Sequence, residues 1–237
     1  MSYDAGDGFS VDILSAEAIK SHLPADFSGD IVVKEITEST NSDAARLAKD
    51  ATHGTVIISD AQTAGRGRLG KSFYAPKGGI YMSVILKLGL TFSDAVLVTT
   101  AASVAVCKAI EAVSDVRPKI KWVNDILLED KKICGISCEA VSFGEMIDSV
   151  ILGIGVNFSA QEFPDDLQDT AGVLFEKPTV SRNRLIAEIL KNILSETKDL
   201  SSKKFIEDYR RRSAVLGKPI RYQIGRASCR ERVSPDV

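Results

Sequence analysis

Residues 62–72 read QTAGRGRLGKS, with three glycines, two arginines and a lysine directly after the apolar stretch TVIIS at 55–59. Glycine lets a backbone approach a ligand closely and adopt positive φ. Arginine offers a planar donor fork to carboxylate or phosphate. The combination suits a loop that wraps an anion; the alternative is a solvated turn. The run also fits two phosphate-binding patterns literally, Gly65-x-Gly67-x-x-Gly70 and Gly65-xxxx-Gly70-Lys71-Ser72. Both mechanisms need a helix to begin at the motif, so that its N-terminus faces phosphate. Here Pro76, Gly78 and Gly79 follow at once, and nothing between Lys71 and Ser93 is acidic. Proline and glycine argue against that helix, and the run reads as a glycine loop between two strands.

Three further groups carry candidate chemistry. Ser39-Thr40-Asn41 offers hydroxyls and an amide, either as a helix N-cap or as the holder of a small polar head group. Lys121-Trp122-x-Asn124-Asp125 and Lys132-x-x-Gly135 flank one predicted hairpin. There Lys132 is either a binding cation or an edge lysine like Lys131, and Asp125 either a ligand or a turn residue.

Strands are expected over 31–36, 55–60, 79–88, 119–122, 126–128, 133–140 and 146–156, from apolar runs and alternation. Helices are expected over 14–23, from Ser39 or Thr40 to about 49, over 94–113, which is apolar on every side, and over 184–194. A charged helix follows, with Phe205, Ile206 and Tyr209 inward and Arg210, Arg211 and Arg212 on a solvated face. Few helices separate the strands, which predicts an α+β fold: a mixed, largely antiparallel sheet with helices on one face.

The whole chain narrows the function classes. With 30 basic and 32 acidic residues it has no general pull toward nucleic acid or anionic membrane. No apolar run approaches the roughly 20 residues that span a bilayer, and the N-terminus has no secretory pattern. The four cysteines show no metal-ligand spacing, which points to a reducing, cytoplasmic setting.

In combination, ESTN (38–41), QTAGRGRLG (62–70), KWVND (121–125), KKICGI (131–136) and GIGVN (153–157) resemble the catalytic domain of biotin protein ligases, over about residues 14–222. The resemblance implies a fold like that of class II aminoacyl-tRNA synthetases. It implies that biotin and MgATP form biotinyl-5′-AMP, which a lysine of the biotin carboxyl carrier protein of a biotin-dependent carboxylase then attacks. By the same resemblance Lys132 and Arg68 are catalytic. Ser39, Thr40, Asn41, Gln62, Arg66, Gly67, Arg68, Lys132 and Gly135 meet biotin. Arg66, Arg68, Asn124, Asp125 and Asn157 face the nucleotide, with Asp125 also a magnesium ligand. Tyr81 and Ser83 either line the same pocket or form an ordinary strand face, and Trp122 packs behind it. The glycine loop is expected to order over biotin.

Family members with an N-terminal helix-turn-helix also bind operators; none precedes residue 14, so DNA binding is not expected, and homodimerisation is common in the family. Residues 1–13 are read as a flexible segment, 14–215 as the catalytic domain and 216–223 as the start of a truncated SH3-like domain. Residues 224–237 are read as a non-native tail without strand pattern, because the back-translation of IGRASCRERV is similar to a sequencing adapter. The nearest rival is a lipoate or octanoate ligase, whose R-R-x-S-G-G-G type of loop differs from GRGRLG. A non-catalytic biotin-binding regulatory protein is the other.

Overall fold

The computed structural model describes residues 3–5, 9–67, 70–143, 146–159, 162–224 and 227–232. In chain order the elements are β1 (Tyr3–Ala5), β2 (Phe9–Val11), α1 (Ala16–Lys20), β3 (Ile31–Thr37), α2 (Thr40–Leu47), β4 (Val56–Gln62) and β5 (Ile80–Leu86). They continue with α3 (Phe92–Val113), β6 (Lys119–Lys121), β7 (Asp125–Leu128), β8 (Lys131–Phe143), β9 (Met146–Val156), α4 (Arg182–Thr197), α5 (Phe205–Arg212), β10 (Pro219–Ile224) and β11 (Ala227–Arg232).

Seven strands form one sheet in the order β3-β4-β5-β9-β8-β7-β6. β3 and β4 run parallel and every other neighbouring pair antiparallel, so the expected α+β class holds. Side chains alternate across a strand, which divides the core in two. On one face Val56, Ile58, Met82, Val84, Leu152 and Ile154 meet α3 and α4. α3 buries Ala101, Ala102, Ala105 and Ala109, whose small side chains let α4 approach with Ile186, Ile189, Leu190 and Ile193. Each fully buried aliphatic side chain of this kind contributes about 1.5–3 kcal/mol. On the other face Ile57, Ile85 and Ile151 are covered by Ala44 and Ala48 beside the single short helix α2. The helices therefore lie mainly, but not wholly, on one side.

Three local expectations change. Arg212 is not solvated: its side chain is 9% exposed and pairs with Glu111 at 2.7 Å and Asp208 at 3.1 Å. Successive helical residues point about 100° apart, so three arginines in a row cannot share one outer face. Arg212 lies on the side of Phe205 and Tyr209, which α5 turns inward. Residues 227–232, read as patternless, pair with β10 as β11, and residues 3–5 pair with 9–11 in the segment read as flexible. A two-stranded ladder is made by backbone hydrogen bonds and needs no alternation of side chains.

Candidate active site

The site rests on three neighbouring strands whose register places small residues in rows. Ser83, Gly153 and Ser137 lie opposite one another across β5, β9 and β8, and Tyr81, Gly155 and Gly135 form the next row. A methyl group on Gly155 would sit 2.5 Å from the Phe73 ring. One on Gly135 would meet the Lys132 side chain at 3.0 Å, and one on Gly153 would overlap the Asn41 amide. The glycines thus form a bare floor that lets Phe73, Lys132 and Asn41 lie directly on the sheet.

A neutral polar wall closes one end. Ser39 is the N-cap residue of α2 but makes no side-chain capping bond, and it lines the cavity. The Thr40 amide and hydroxyl donate to Gln62 Oε1 at 2.8 and 3.1 Å. Ser83 Oγ lies 2.8 Å from Thr40 Oγ1 and 2.6 Å from Asn41 Oδ1, and its single proton serves one of them. Asn41 Nδ2 donates to Ser137 Oγ at 3.1 Å and Glu139 Oε1 at 2.6 Å, which fixes the amide's orientation. Below this wall α2 is anchored by the buried Asp43, which accepts from Lys34 at 2.9 Å and Thr37 at 2.7 Å and pairs with Arg46. Burial alone would raise the Asp43 carboxyl, but these partners outweigh it and hold it below the usual carboxylate range.

Two cations, Arg66 and Lys132, line the same cavity. The loop after β4 folds back on itself: Gly67 donates to the Lys71 carbonyl at 2.7 Å and Phe73 to the Gly65 carbonyl at 2.8 Å. No α-helix begins among its described residues, so the phosphate-loop and dinucleotide patterns fail in the expected way. Arg66 donates to Ser42 at 2.9 Å and lies 3.9 Å from the Glu139 carboxylate. Lys132 Nζ pairs with Asp125 at 2.7 Å and stands 5.8 Å from the centre of the Phe73 ring. Phe73 is braced edge-on by Tyr81 at 6.3 Å. The Tyr81 hydroxyl donates to the Pro76 carbonyl at 2.7 Å, and burial raises its pKa, keeping the phenol neutral.

Ser39, Thr40, Asn41, Gln62, Arg66, Gly67, Asn124, Lys132 and Gly135 are brought together along one cavity. Asp125 joins it through Lys132. Arg68 lies outside the described residues. Asn157 is not part of the cavity wall; it is 5% exposed and its amide donates to the carbonyls of Lys132 at 3.2 Å and Gly172 at 2.9 Å. Trp122 does not pack behind the site. β6 ends at Lys121, and in the turn that follows Trp122 is 69% exposed, its ring edge-on to Tyr209 at 6.1 Å. Sequence reasoning missed Phe73, Ser137, Glu139, Gly153 and Gly155. The signal was present: β8 alternates Gly135, Ser137, Glu139 with Cys134, Ile136, Cys138, and β9 carries Gly153 and Gly155 between large aliphatics. Cys134 and Cys107 are core thiols raised by burial, Cys107 to about 12, and are inert here.

Such a cavity suits a flat, neutral, hydrogen-bonding head group whose anionic tail reaches Arg66 and Lys132. Comparison with known proteins agrees. Residues 33–157, over half the chain, match the biotin/lipoate A/B protein ligase family. The chain belongs to that family. Within the family it is similar to the bifunctional ligase/repressor BirA of Bacillus spizizenii, 38% identical over 163 residues, covering 67% of this chain and 50% of that relative. It is also similar to the biotin–[acetyl-CoA-carboxylase] ligase of Mycobacterium tuberculosis, 29% identical over 202 residues, covering 79% and 72%. The chain thus spans about half the length of the Bacillus relatives it matches. Among solved structures, the biotin protein ligase from Aquifex aeolicus in complex with biotin and ATP superimposes with a TM-score of 0.71 at 26% identity, covering 86% of each chain. Among the described residues, no helix of this family member is long and apolar enough to cross a membrane.

Proposed function

We propose that the chain attaches biotin to a lysine of a biotin carboxyl carrier protein at the expense of ATP. The observation that carries this reading is the convergence of the Gln62–Thr40–Ser83–Asn41 wall with Arg66 and Lys132 around one glycine floor. A cyclic urea has an acceptor oxygen flanked by two N–H donors, and burying it demands matched partners. The wall supplies hydroxyls, amides and a carboxylate-fixed Asn41 for that purpose.

In the first step a biotin carboxylate oxygen attacks the α-phosphorus of ATP. The bond from that phosphorus to the bridging oxygen breaks, and pyrophosphate leaves. Two anions must be brought into line, so the cationic groups act by position and electrostatics rather than by covalent bonding. Arg66 and Lys132 fill that role, and Asp125 holds Lys132 until the anions take its place. In the second step the carrier lysine's amine attacks the acyl carbon, AMP leaves with the bridging oxygen, and the amide nitrogen loses a proton.

Magnesium fits this site as a partner of the nucleotide. Magnesium is usually held by one or two carboxylates together with substrate phosphates. Among the described residues no three His, Cys, Asp or Glu side chains cluster as a cage; Asp125, beside Lys132, would hold the ion together with substrate phosphate oxygens. Held there, magnesium would supply charge neutralisation on the phosphates. A cytoplasmic setting and a homodimer belong to the same reading.

The family also contains lipoate ligases; the Mycobacterium tuberculosis relative and the Aquifex aeolicus structure are named as biotin enzymes, which favours biotin. Biotin-dependent ATP–pyrophosphate exchange tests the choice. Exchange with biotin and none with octanoate is expected. Exchange with octanoate alone would transfer the chain to the lipoyl branch, and ligand binding without any exchange would make it a non-catalytic binder.

A further inference from the structure

Arg182 opens α4 yet is only 2% exposed. A buried guanidinium needs partners for its donor fork, and these partners lie at the base of the glycine loop. The β4–β5 ladder ends at the Ser59–Tyr81 pair. Beyond it the two strands part: β4 stays with β3 through Ala61 and Gln62, while β5 begins at Ile80. Arg182 Nη1 sits in this fork. It donates to the Gly79 carbonyl at 3.1 Å and pairs with the Asp60 carboxylate. The Gly78 N–H faces the same carboxylate at 3.5 Å. The chain between these two feet is the loop that carries Gln62, Arg66 and Phe73. The rest of the guanidinium holds the N-terminal segment. Its Nε donates to Asp12 Oδ1 at 3.0 Å and its Nη2 to the Asp12 carbonyl, while the Asn183 amide donates to Asp12 Oδ2 at 2.9 Å.

We propose that Arg182 is a positioning residue for the glycine loop, holding the loop's two feet together through Asp60 and Gly79; the chemistry that the loop serves rests on the biotin-activating reading above. Arg182 does not line the cavity, whereas Gln62, Arg66 and Phe73 do, and its influence passes through them. A loop that loses one foot keeps its residues but not their alignment, and misplacement by about 1 Å can cost on the order of 100-fold in rate. Asp12 and Asp60 neutralise the same cation from different places. Asp60 belongs to the loop's foot, and Asp12 to the segment before α1.

The test compares Asp60→Asn with Asp12→Asn, each of which takes one carboxylate from the same buried cation. Both should lower the Tm. Only Asp60→Asn should lower kcat/KM for biotin-dependent pyrophosphate exchange, by roughly tenfold or more, and speed tryptic cleavage between residues 65 and 71 without ligand. Asp12→Asn should keep both within about twofold of wild type. Asp60→Glu keeps the ion pair but lengthens its arm by one methylene, and it decides the matter if Asp60→Asn does not fold: exchange should fall while the Tm stays closer to wild type. Loss of exchange by the same factor in the Asp60 and Asp12 variants, which lost stability alone would give, overturns the inference. Unchanged exchange and cleavage in a folded Asp60 variant overturns it too. Wild-type protein that shows no exchange overturns the biotin reading, and the cleavage comparison then decides the inference by itself.

Discussion

Gln62 is the residue on which the polar wall hangs, because its Oε1 accepts both protons that Thr40 offers. Removing it strands an amide and a hydroxyl in a half-buried site, a loss of about 1–3 kcal/mol. Gln62→Ala is therefore expected to weaken biotin binding roughly 5- to 150-fold, the same range expressed as affinity, and to lower the Tm. Gln62→Glu keeps the acceptor but replaces the Nε2 donor. It should retain the Tm and still lose biotin affinity by calorimetry; equal affinity in both proteins would contradict the wall's role. The glycine floor makes a second residue-scale prediction. Gly155→Ala drives its methyl group against Phe73, so overpacking of about 1–3 kcal/mol is expected, together with loss of biotin-stimulated exchange. Phe73→Ala in the same chain should restore the Tm, and the absence of such coupling would show that the two do not touch.

At the scale of elements, charge joins the three helices behind the sheet. Lys108 of α3 pairs with Glu196 of α4 at 2.7 Å and Asp208 of α5 at 2.8 Å. The Lys108 hydrogen bond, followed by other charges and opposed by burial, holds the Asp208 carboxyl below its usual range. A depressed folded pKa means that the unfolded chain takes up protons first. The stability is therefore present above the ordinary Asp value of about 4 and is lost as pH falls through the lower folded value. A Tm series from about pH 6 to about pH 3 should show this decline, and Asp208→Asn should flatten it. The glycine loop gives the other element-scale prediction: biotin should slow tryptic cleavage between residues 65 and 71, because Arg66 is held by Ser42 and Glu139 at the cavity edge. Identical cleavage with and without biotin would separate the loop from the ligand.

Sheet, helices and most of the site were legible at this scale because alternation and apolar runs report burial directly. Contacts between distant elements were not. Arg212 looked like a surface charge because its partner Glu111 lies a hundred residues away, and Trp122 looked like a core residue because its type says nothing of a turn. The floor residues Gly153 and Gly155 acquire meaning only once β9 is paired with β8. The motif assigns Asn157 to the nucleotide; its hydrogen bonds to the Lys132 and Gly172 carbonyls are contacts that no spacing encodes.

For the whole molecule, membership of the biotin/lipoate A/B protein ligase family and the agreement with the Aquifex aeolicus ligase fix the scaffold. They leave open what the scaffold activates; the answer proposed above rests on one cavity that joins hydroxyl and amide groups with Arg66 and Lys132 over a floor of glycines. The account's central claim is that this cavity turns biotin and ATP into biotinyl-5′-AMP. The direct measurement is mass-spectrometric detection of that adenylate in a single turnover, with wild-type protein and with Lys132→Ala. The account predicts one equivalent or less of adenylate held by the wild type and a loss of more than roughly tenfold in its rate of formation in the variant. Adenylate formed equally fast without Lys132, or none formed by wild type that binds both biotin and ATP, would contradict it.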